Sequence, residues 1–277
     1  MIGKKSVVIS VVLYFCIVTP LPALSQKSYS FAIVPQSSAT EMVRVWTPFI
    51  RYLSKKTGEK FVFKTASTIS AFEKRVGKQQ YDFAYMNPYH YIIAEKEANY
   101  VAIAKQKDKK LEGILVVSDK SDIRDISQLS GKTIAYPSPA AFAATILPQA
   151  ILLQKGQKNH SKYVLSHESV YSTVSKGLYP VGGGIMRTFN ALPAETKNSL
   201  RILWKSEGYT PHAFAVHSRV PSDVQEKVVN VLVAMHANEE GLRILKNLKM
   251  KNLEKASGIM WNDVRSLSIT TKTEITN

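Results

Sequence analysis

The sequence predicts an α/β protein of two lobes, and three observations carry that expectation. First, apolar residues alternate at strand spacing and then recur at helical spacing, repeatedly along the chain, as strands feeding helices and mainly parallel sheets require. Second, a polar, charged stretch at 118–125 interrupts the pattern near the middle, and an apolar strand at 213–216 reads as the way back. Residues 26–117 and 213–277 are therefore expected to form one lobe and 118–212 the other. Third, several strands run straight into helix starts marked by Ser, Asn or Pro, and open α/β sheets bind ligands beyond the carboxyl ends of their strands. A chain of 277 residues is long enough for two lobes with their own cores, and 45% hydrophobic with 21% charged residues suits a soluble globular protein.

Residues 1–25 read as a cleaved secretory signal peptide. Lys4 and Lys5 precede an apolar run at 7–18, Pro20 and Pro22 follow it, and Ala23 and Ser25 give the small-x-small pattern before Gln26. The run is short for a membrane span. The single cysteine, Cys16, lies inside it, so the exported chain is expected to hold together without disulfides, and cysteine catalysis and thiolate metal sites are excluded.

Beyond the signal, 29–34 is a strand. Ser38 and Glu41 match a capping box, and Met42, Trp46, Phe49, Ile50 and Leu53 follow at helical spacing until Gly58. Residues 60–64 alternate as a strand, 67–70 form a polar turn, and 71–76 a short helix. Next comes Tyr81-Asp82-Phe83-Ala84-Tyr85-Met86-Asn87-Pro88, a strand delivered to a helix start with Asn at the N-cap and Pro at the first helical position. Strands follow at 101–104, 114–117 and 133–136. Ser138-Pro139 then opens a helix to about 153, and Ser166 opens another that begins with His167. The Gly182-Gly183-Gly184 strand exits at Arg187, a strand at 200–204 follows, and Pro221-Ser222 starts a late amphipathic helix. The run of three glycines is not a dinucleotide fingerprint and predicts a tight turn or a close backbone approach.

Four strand-to-helix junctions thus carry capping chemistry: Ser37-Ser38, Asn87-Pro88, Ser138-Pro139 and Ser166-His167. Helix N-termini present unpaired N–H groups and partial positive charge, which suit an anion. With the first two on one lobe and the last two on the other, they would face each other across a cleft. The formal net charge of +16, or +14 without Lys4 and Lys5, also favours anionic partners, and no nucleic-acid-binding motif is present. There is no G-x-S-x-G, Walker or H-E-x-x-H motif. Of the six histidines only His212 and His217 are close in sequence, without acidic or thiol company, so neither a metal nor a cofactor is expected.

From about Ser30 to Leu267 the chain resembles the phosphate/phosphite/phosphonate-binding proteins of ABC importers, which are type II periplasmic binding proteins. The likeness is carried by Trp46-Thr47-Pro48-Phe49, by Tyr81-Asp82-Phe83-Ala84-Tyr85 before Asn87, by Leu129-Ser130-Gly131-Lys132-Thr133, by His167-Glu168 and by Val220-Pro221. The resemblance implies two α/β lobes joined by two crossing strands, a periplasmic location, capture of a small anion with no chemistry on it, and delivery to an inner-membrane permease. Proteins of this class are monomers as a rule. Tyr85 matches an aromatic residue that lines the family's cleft, and His167 matches a histidine that contacts the oxyanion. The expected ligand-binding set is Ser67, Thr68, Tyr85 and Asn87 from the first lobe, and Ser138, Ala141, Phe142, His167, Arg187 and His212 from the second.

Two departures from the family bear on the ligand. Ala141, Phe142 and Ala143 stand where relatives carry a Ser-Thr-Ser run, so hydroxyl donors are replaced by backbone N–H groups with Ser138 nearby. Arg187 and the neighbourhood of His212 stand where aminophosphonate binders place carboxylates. An ammonium beside Arg187 would be costly, whereas a guanidinium suits a phosphoryl or carboxylate group. The expected ligand is therefore a small oxyanion with no free amine. The same fold also admits a second role, as a sensory protein that reports its ligand to a signalling partner.

Overall fold

The computed structural model describes residues 27–267; the segment read as a signal peptide, with Cys16, lies outside them. In the first half of the chain the elements are β1 (Ser28–Ile33), α1 (Ala39–Thr57), β2 (Lys60–Lys64), α2 (Ile69–Gly77), β3 (Phe83–Met86), α3 (Pro88–Glu97) and β4 (Tyr100–Gln106). A second group follows: β5 (Gly113–Ser118), β6 (Thr133–Tyr136), a π-helical turn (Phe142–Ile146) continuing as α4 (Leu147–Gln154), β7 (His160–Tyr163), α5 (His167–Ser175), β8 (Val181–Ile185), α6 (Met186–Phe189), α7 (Ala194–Asn198) and β9 (Leu200–Lys205). The chain returns through β10 (Ala213–His217), α8 (Ser222–Ala234), α9 (Glu239–Asn247), β11 (Leu253–Lys255) and α10 (Asn262–Arg265).

Two sheets result, one per lobe. The first has six strands in the order β11-β4-β10-β3-β1-β2, the second five in the order β7-β6-β8-β5-β9. Each has a parallel core, β2-β1-β3 and β7-β6-β8. Each also takes in an antiparallel strand that arrives from the other lobe: β10 between β3 and β4, and β5 between β8 and β9. The sheets are thus mixed rather than mainly parallel. A strand brought in by a lobe-to-lobe crossing has no helical crossover to turn it into parallel alignment.

The lobe boundary differs from the sequence reading in the same way. β5 pairs with β8 and β9, so the outward crossing occupies 107–112, before β5, and not 118–125. The polar stretch at 118–125 is a surface loop of the second lobe, where Asp119 N–H bonds Ser199 C=O and Asp125 caps a short 3₁₀ turn. The return crossing runs over 206–212. The two crossings are tied by reciprocal backbone bonds between Leu111 and Tyr209, at 2.7 and 3.0 Å.

Local signals explain the helices nearest the cleft. Ser38 Oγ accepts from Glu41 N–H, Gly58 closes α1 at φ 76°, and the stripe Met42, Trp46, Phe49, Ile50 and Leu53 is buried. That stripe packs on Phe31 and Phe214 of the sheet, with Phe31 edge-on to Phe49 at 5.5 Å and stacked on Phe83 at 5.6 Å. In the second lobe the glycine run allows the close approach expected of it. A Cβ on Gly183 would stand 2.0 Å from Ala144 O, and one on Gly113 of β5 2.0 Å from Ala143 O. Only bare backbone lets the π-helical turn lie directly on β5 and β8.

Candidate functional site

All four strand-to-helix junctions deliver residues to one small cavity between the lobes, of about 20 Å³. The first lobe contributes Val34 and Gln36 after β1, Ile69 at the start of α2 and Asn87 at the start of α3. The second contributes Ala141 to Ala144, His167 and Ile185, and the crossings add Leu111 and His212. One water needs roughly 10–15 Å³ on this measure, so the space suits an ion of a few heavy atoms.

Asn87 caps α3, with Oδ1 accepting from His90 N–H at 2.8 Å, while its Nδ2 donates across the cleft to Ala140 C=O at 3.1 Å. The opposite wall is the beginning of the π-helical turn. The first bonds into it come from Thr145 and Ile146 N–H, both to Ala141 C=O, so the N–H groups of Phe142, Ala143 and Ala144 are its leading donors. All three residues line the cavity. Ser138 does not cap this helix. Its C=O accepts from Ala141 N–H and Thr145 Oγ1, and its hydroxyl lies 3.3 Å from Ser70 Oγ of the first lobe. The Pro221-Ser222 start likewise carries no side-chain cap on α8.

Around these donors stand basic groups. His167 is the first residue of α5, placed by Ser166, whose hydroxyl accepts from Ser169 N–H. It is 2% exposed, and its Nδ1 has no hydrogen-bond partner among the described residues. Burial, aided by the Arg187 charge, pushes His167 down to about 4. His212 stacks on Tyr85 at 5.1 Å between ring centres, and Gln36 Nε2 donates to its Nε2 at 3.0 Å, which leaves the proton of a neutral ring on Nδ1. Burial pushes His212 well below the ordinary histidine range, and Arg187, His90 and His167 push it further. Burial raises the Tyr85 phenol, against the pull of the Arg187 guanidinium at the exit of β8. No residue lining the cavity is acidic. The site is thus a buried concentration of N–H donors and basic groups whose imidazoles are held neutral by desolvation and by one another. An anion would relieve both costs. Among the described residues no group of three His, Cys, Asp or Glu side chains is placed to hold a metal ion.

Of the residues expected from the sequence, Tyr85, Asn87, Ala141, Phe142, His167, Arg187 and His212 gather here, with Ser138 just behind the wall. Ser67 and Thr68 do not. Ser67 is exposed, and the Thr68 hydroxyl is committed to capping α2 through Ala71 N–H at 3.0 Å; from that turn it is Ile69 that lines the cavity. Gln36 was missed, because a lone Gln after a strand carries no signal until His212 is beside it. His90 was missed too, although it sits in the same Asn87-Pro88 helix start.

The family model described as "ABC transporter, phosphonate, periplasmic substrate-binding protein" matches residues 31–261. A curated relative, the phosphate-import protein PhnD of Mycolicibacterium smegmatis, is 21% identical over 238 residues, covering 76% of this chain and 73% of that one. Among solved structures, PhnD1 from Prochlorococcus marinus in complex with methylphosphonate aligns with a TM-score of 0.81 at 14% identity, over 87% of this chain and 97% of that one. A binding protein component of an ABC phosphonate transporter from Pseudomonas aeruginosa aligns with a TM-score of 0.80 at 16% identity, over 87% and 85%. At these identities the structural likeness is one of fold.

Proposed function

This chain belongs to the phosphonate family of periplasmic substrate-binding proteins of ABC transporters, and we propose that it captures a small phosphorus oxyanion lacking a free amine. As a member it is the solute receptor of an importer, with a small ligand and a membrane permease as partners. Phosphate, phosphite and simple organophosphonates are the candidate ligands. The relatives' import of phosphate and binding of methylphosphonate agree with this range.

The observation that carries the reading is the cavity lining: leading helix N–H groups, imidazoles and a neighbouring guanidinium, with no carboxylate. In the proposed complex the N–H groups of Phe142, Ala143 and Ala144 bond the oxyanion, doing with backbone what relatives do with hydroxyls. His167 and His212 complete its shell as N–H donors, Tyr85 walls it, and Arg187 balances its charge. No carboxylate of the cavity lining is there to receive an ammonium group. The receptor reading has the mature chain begin near Gln26, act as a monomer, bind no nucleic acid and leave the ligand chemically unchanged.

Thermal melts test it. A ligand at a hundredfold excess over its Kd adds about 2.7 kcal/mol to stability, several degrees in Tm for a protein of this size. Phosphate, phosphite or methylphosphonate should give that shift, and 2-aminoethylphosphonate a smaller one. If none of the four raises Tm, or if the aminophosphonate raises it most, the reading fails.

A further inference from the structure

The return crossing is held along its length by two different parts of the molecule. Its earlier residues belong to the second lobe and to the other crossing: Ser206 N–H bonds Gly113 C=O of β5, Tyr209 exchanges backbone bonds with Leu111, and the Tyr209 ring meets Phe142 edge-on at 5.6 Å. From Thr210 onward the partners change. Thr210 is buried. Its N–H donates to Asp263 Oδ2 at 2.7 Å, and its hydroxyl lies 2.9 Å from the same oxygen and 2.8 Å from Met260 C=O. Pro211 C=O then accepts from Trp261 Nε1 at 2.9 Å. The next residue is His212, which faces the cavity, stacked on Tyr85 and bonded by Gln36. The segment behind this stretch rests on the first lobe. Trp261 is fully buried against Tyr91 of α3, 4.6 Å between ring centres, and Arg265 pairs with Glu95 of the same helix. Lys110 of the outward crossing also approaches Asp263, with Nζ 3.7 Å from Oδ2.

We propose that Asp263, with Trp261 beside it, is a positioning residue for ligand capture: it anchors the return crossing to the first lobe at Thr210, so that the lobes move about residues 206–209 while His212 keeps its place. For its effect on the ligand the inference rests on the oxyanion reading above. Asp263 does not line the cavity, so it acts through Thr210, Pro211 and His212. A carboxylate suits the task, because a hydrogen bond to an ionised acceptor is shorter and stronger than a neutral one. Without it the buried Thr210 N–H has lost its partner, which is costly, and the backbone at 210–212 moves to find another. His212 then leaves Gln36, whose amide fixes the proton on Nδ1, and the imidazole no longer presents one defined donor to the anion.

Two measurements on the mature protein test this: calorimetric titration with methylphosphonate, and nitrogen NMR of the imidazoles in the ligand-free state. Wild type should show His212 as a single neutral form protonated on Nδ1. Asp263→Ala should weaken methylphosphonate binding by about tenfold or more and replace that single signal by a mixture of tautomers. Asp263→Asn keeps an accepting oxygen for Thr210, so it should stay within about threefold of wild type and retain the signal. Trp261→Phe removes the bond to Pro211 but keeps a ring against Tyr91, and it should shift both readouts in the same direction as Asp263→Ala; it decides the matter if Asp263→Ala does not fold. Wild-type affinity and an unchanged His212 signal in Asp263→Ala, or in Trp261→Phe where the first variant is unfolded, would overturn the proposal, as would an Asn variant as weak as the Ala variant. Failure of methylphosphonate to bind wild type would overturn the oxyanion reading, and the His212 signal would still decide the anchor.

Discussion

His167 concentrates the physics of the site in one residue. It lies at a helix start, is 2% exposed, and is pushed down to about 4 from 6.5 by burial and by Arg187. Between those values the unfolded chain binds a proton there and the folded, ligand-free protein does not, so stability falls as pH drops through that window. For this one group the loss from pH 7 to pH 4.5 is about 2 kcal/mol. Denaturant midpoints should show the pH dependence shrinking by about that amount in His167→Asn. A bound oxyanion favours the imidazolium and raises the group again, so saturating methylphosphonate should flatten the wild-type profile; an unchanged profile in both experiments would mean His167 does not face the ligand. His167 was singled out in the sequence through the family resemblance, since a histidine after a capping Ser is by itself an ordinary helix start. Gln36 was not, because its role depends on His212, 176 positions away.

At the scale of elements, the decisive piece is the π-helical turn Phe142–Ile146 lying on β5 and β8. Gly183 and Gly113 set its height, since a Cβ at either would meet a carbonyl oxygen of the turn at 2.0 Å. Gly183→Ala should therefore destabilise by about 1–3 kcal/mol through overpacking. It should also weaken oxyanion binding, because it lifts the Phe142, Ala143 and Ala144 N–H groups out of position. Gly77→Ala is the control: it has open space within 4 Å and should be neutral or slightly stabilising, as Ala is the better helix former. Paired chemical denaturation and calorimetry decide between these outcomes. Strands, helices and three of the four capping junctions were readable from periodicity and from Ser, Asn and Pro. The lobe crossing was not. Polarity at 118–125 marks exposure, which a surface loop and a crossing share, and only strand pairing assigns β5 to the second sheet. Ser138 misled for a related reason: Ser before Pro signals a cap, but its carbonyl serves Ala141 and Thr145, and its hydroxyl turns to Ser70 in the other lobe.

For the whole molecule, the fold brings four separate strand-to-helix junctions to one cavity, the proposed anion site. The lobes touch around the cavity through Asn87 to Ala140 and Ser70 to Ser138, and the crossings are pinned by Leu111 and Tyr209. On the proposed reading, cleft closure and ligand capture involve the same residues. Asn87→Ala removes both the α3 cap and an interlobe bond, and it should lower stability by about 1 kcal/mol while also weakening binding; thermal melts with and without methylphosphonate separate the two effects. That the junctions could face each other was foreseeable from the alternation of strands and helices. That their convergence would be basic and acid-free required the packing of two lobes. The central claim, that a buried, acid-free cavity between the lobes with Arg187 beside it binds the oxyanion, is tested most directly by titrating methylphosphonate into wild type, Arg187→Ala and Lys109→Ala, the last changing an exposed lysine of the outward crossing. The account predicts a loss of about 2–3 kcal/mol, roughly 30- to 150-fold in Kd, for Arg187→Ala and almost none for Lys109→Ala; equal effects of the two substitutions would contradict it.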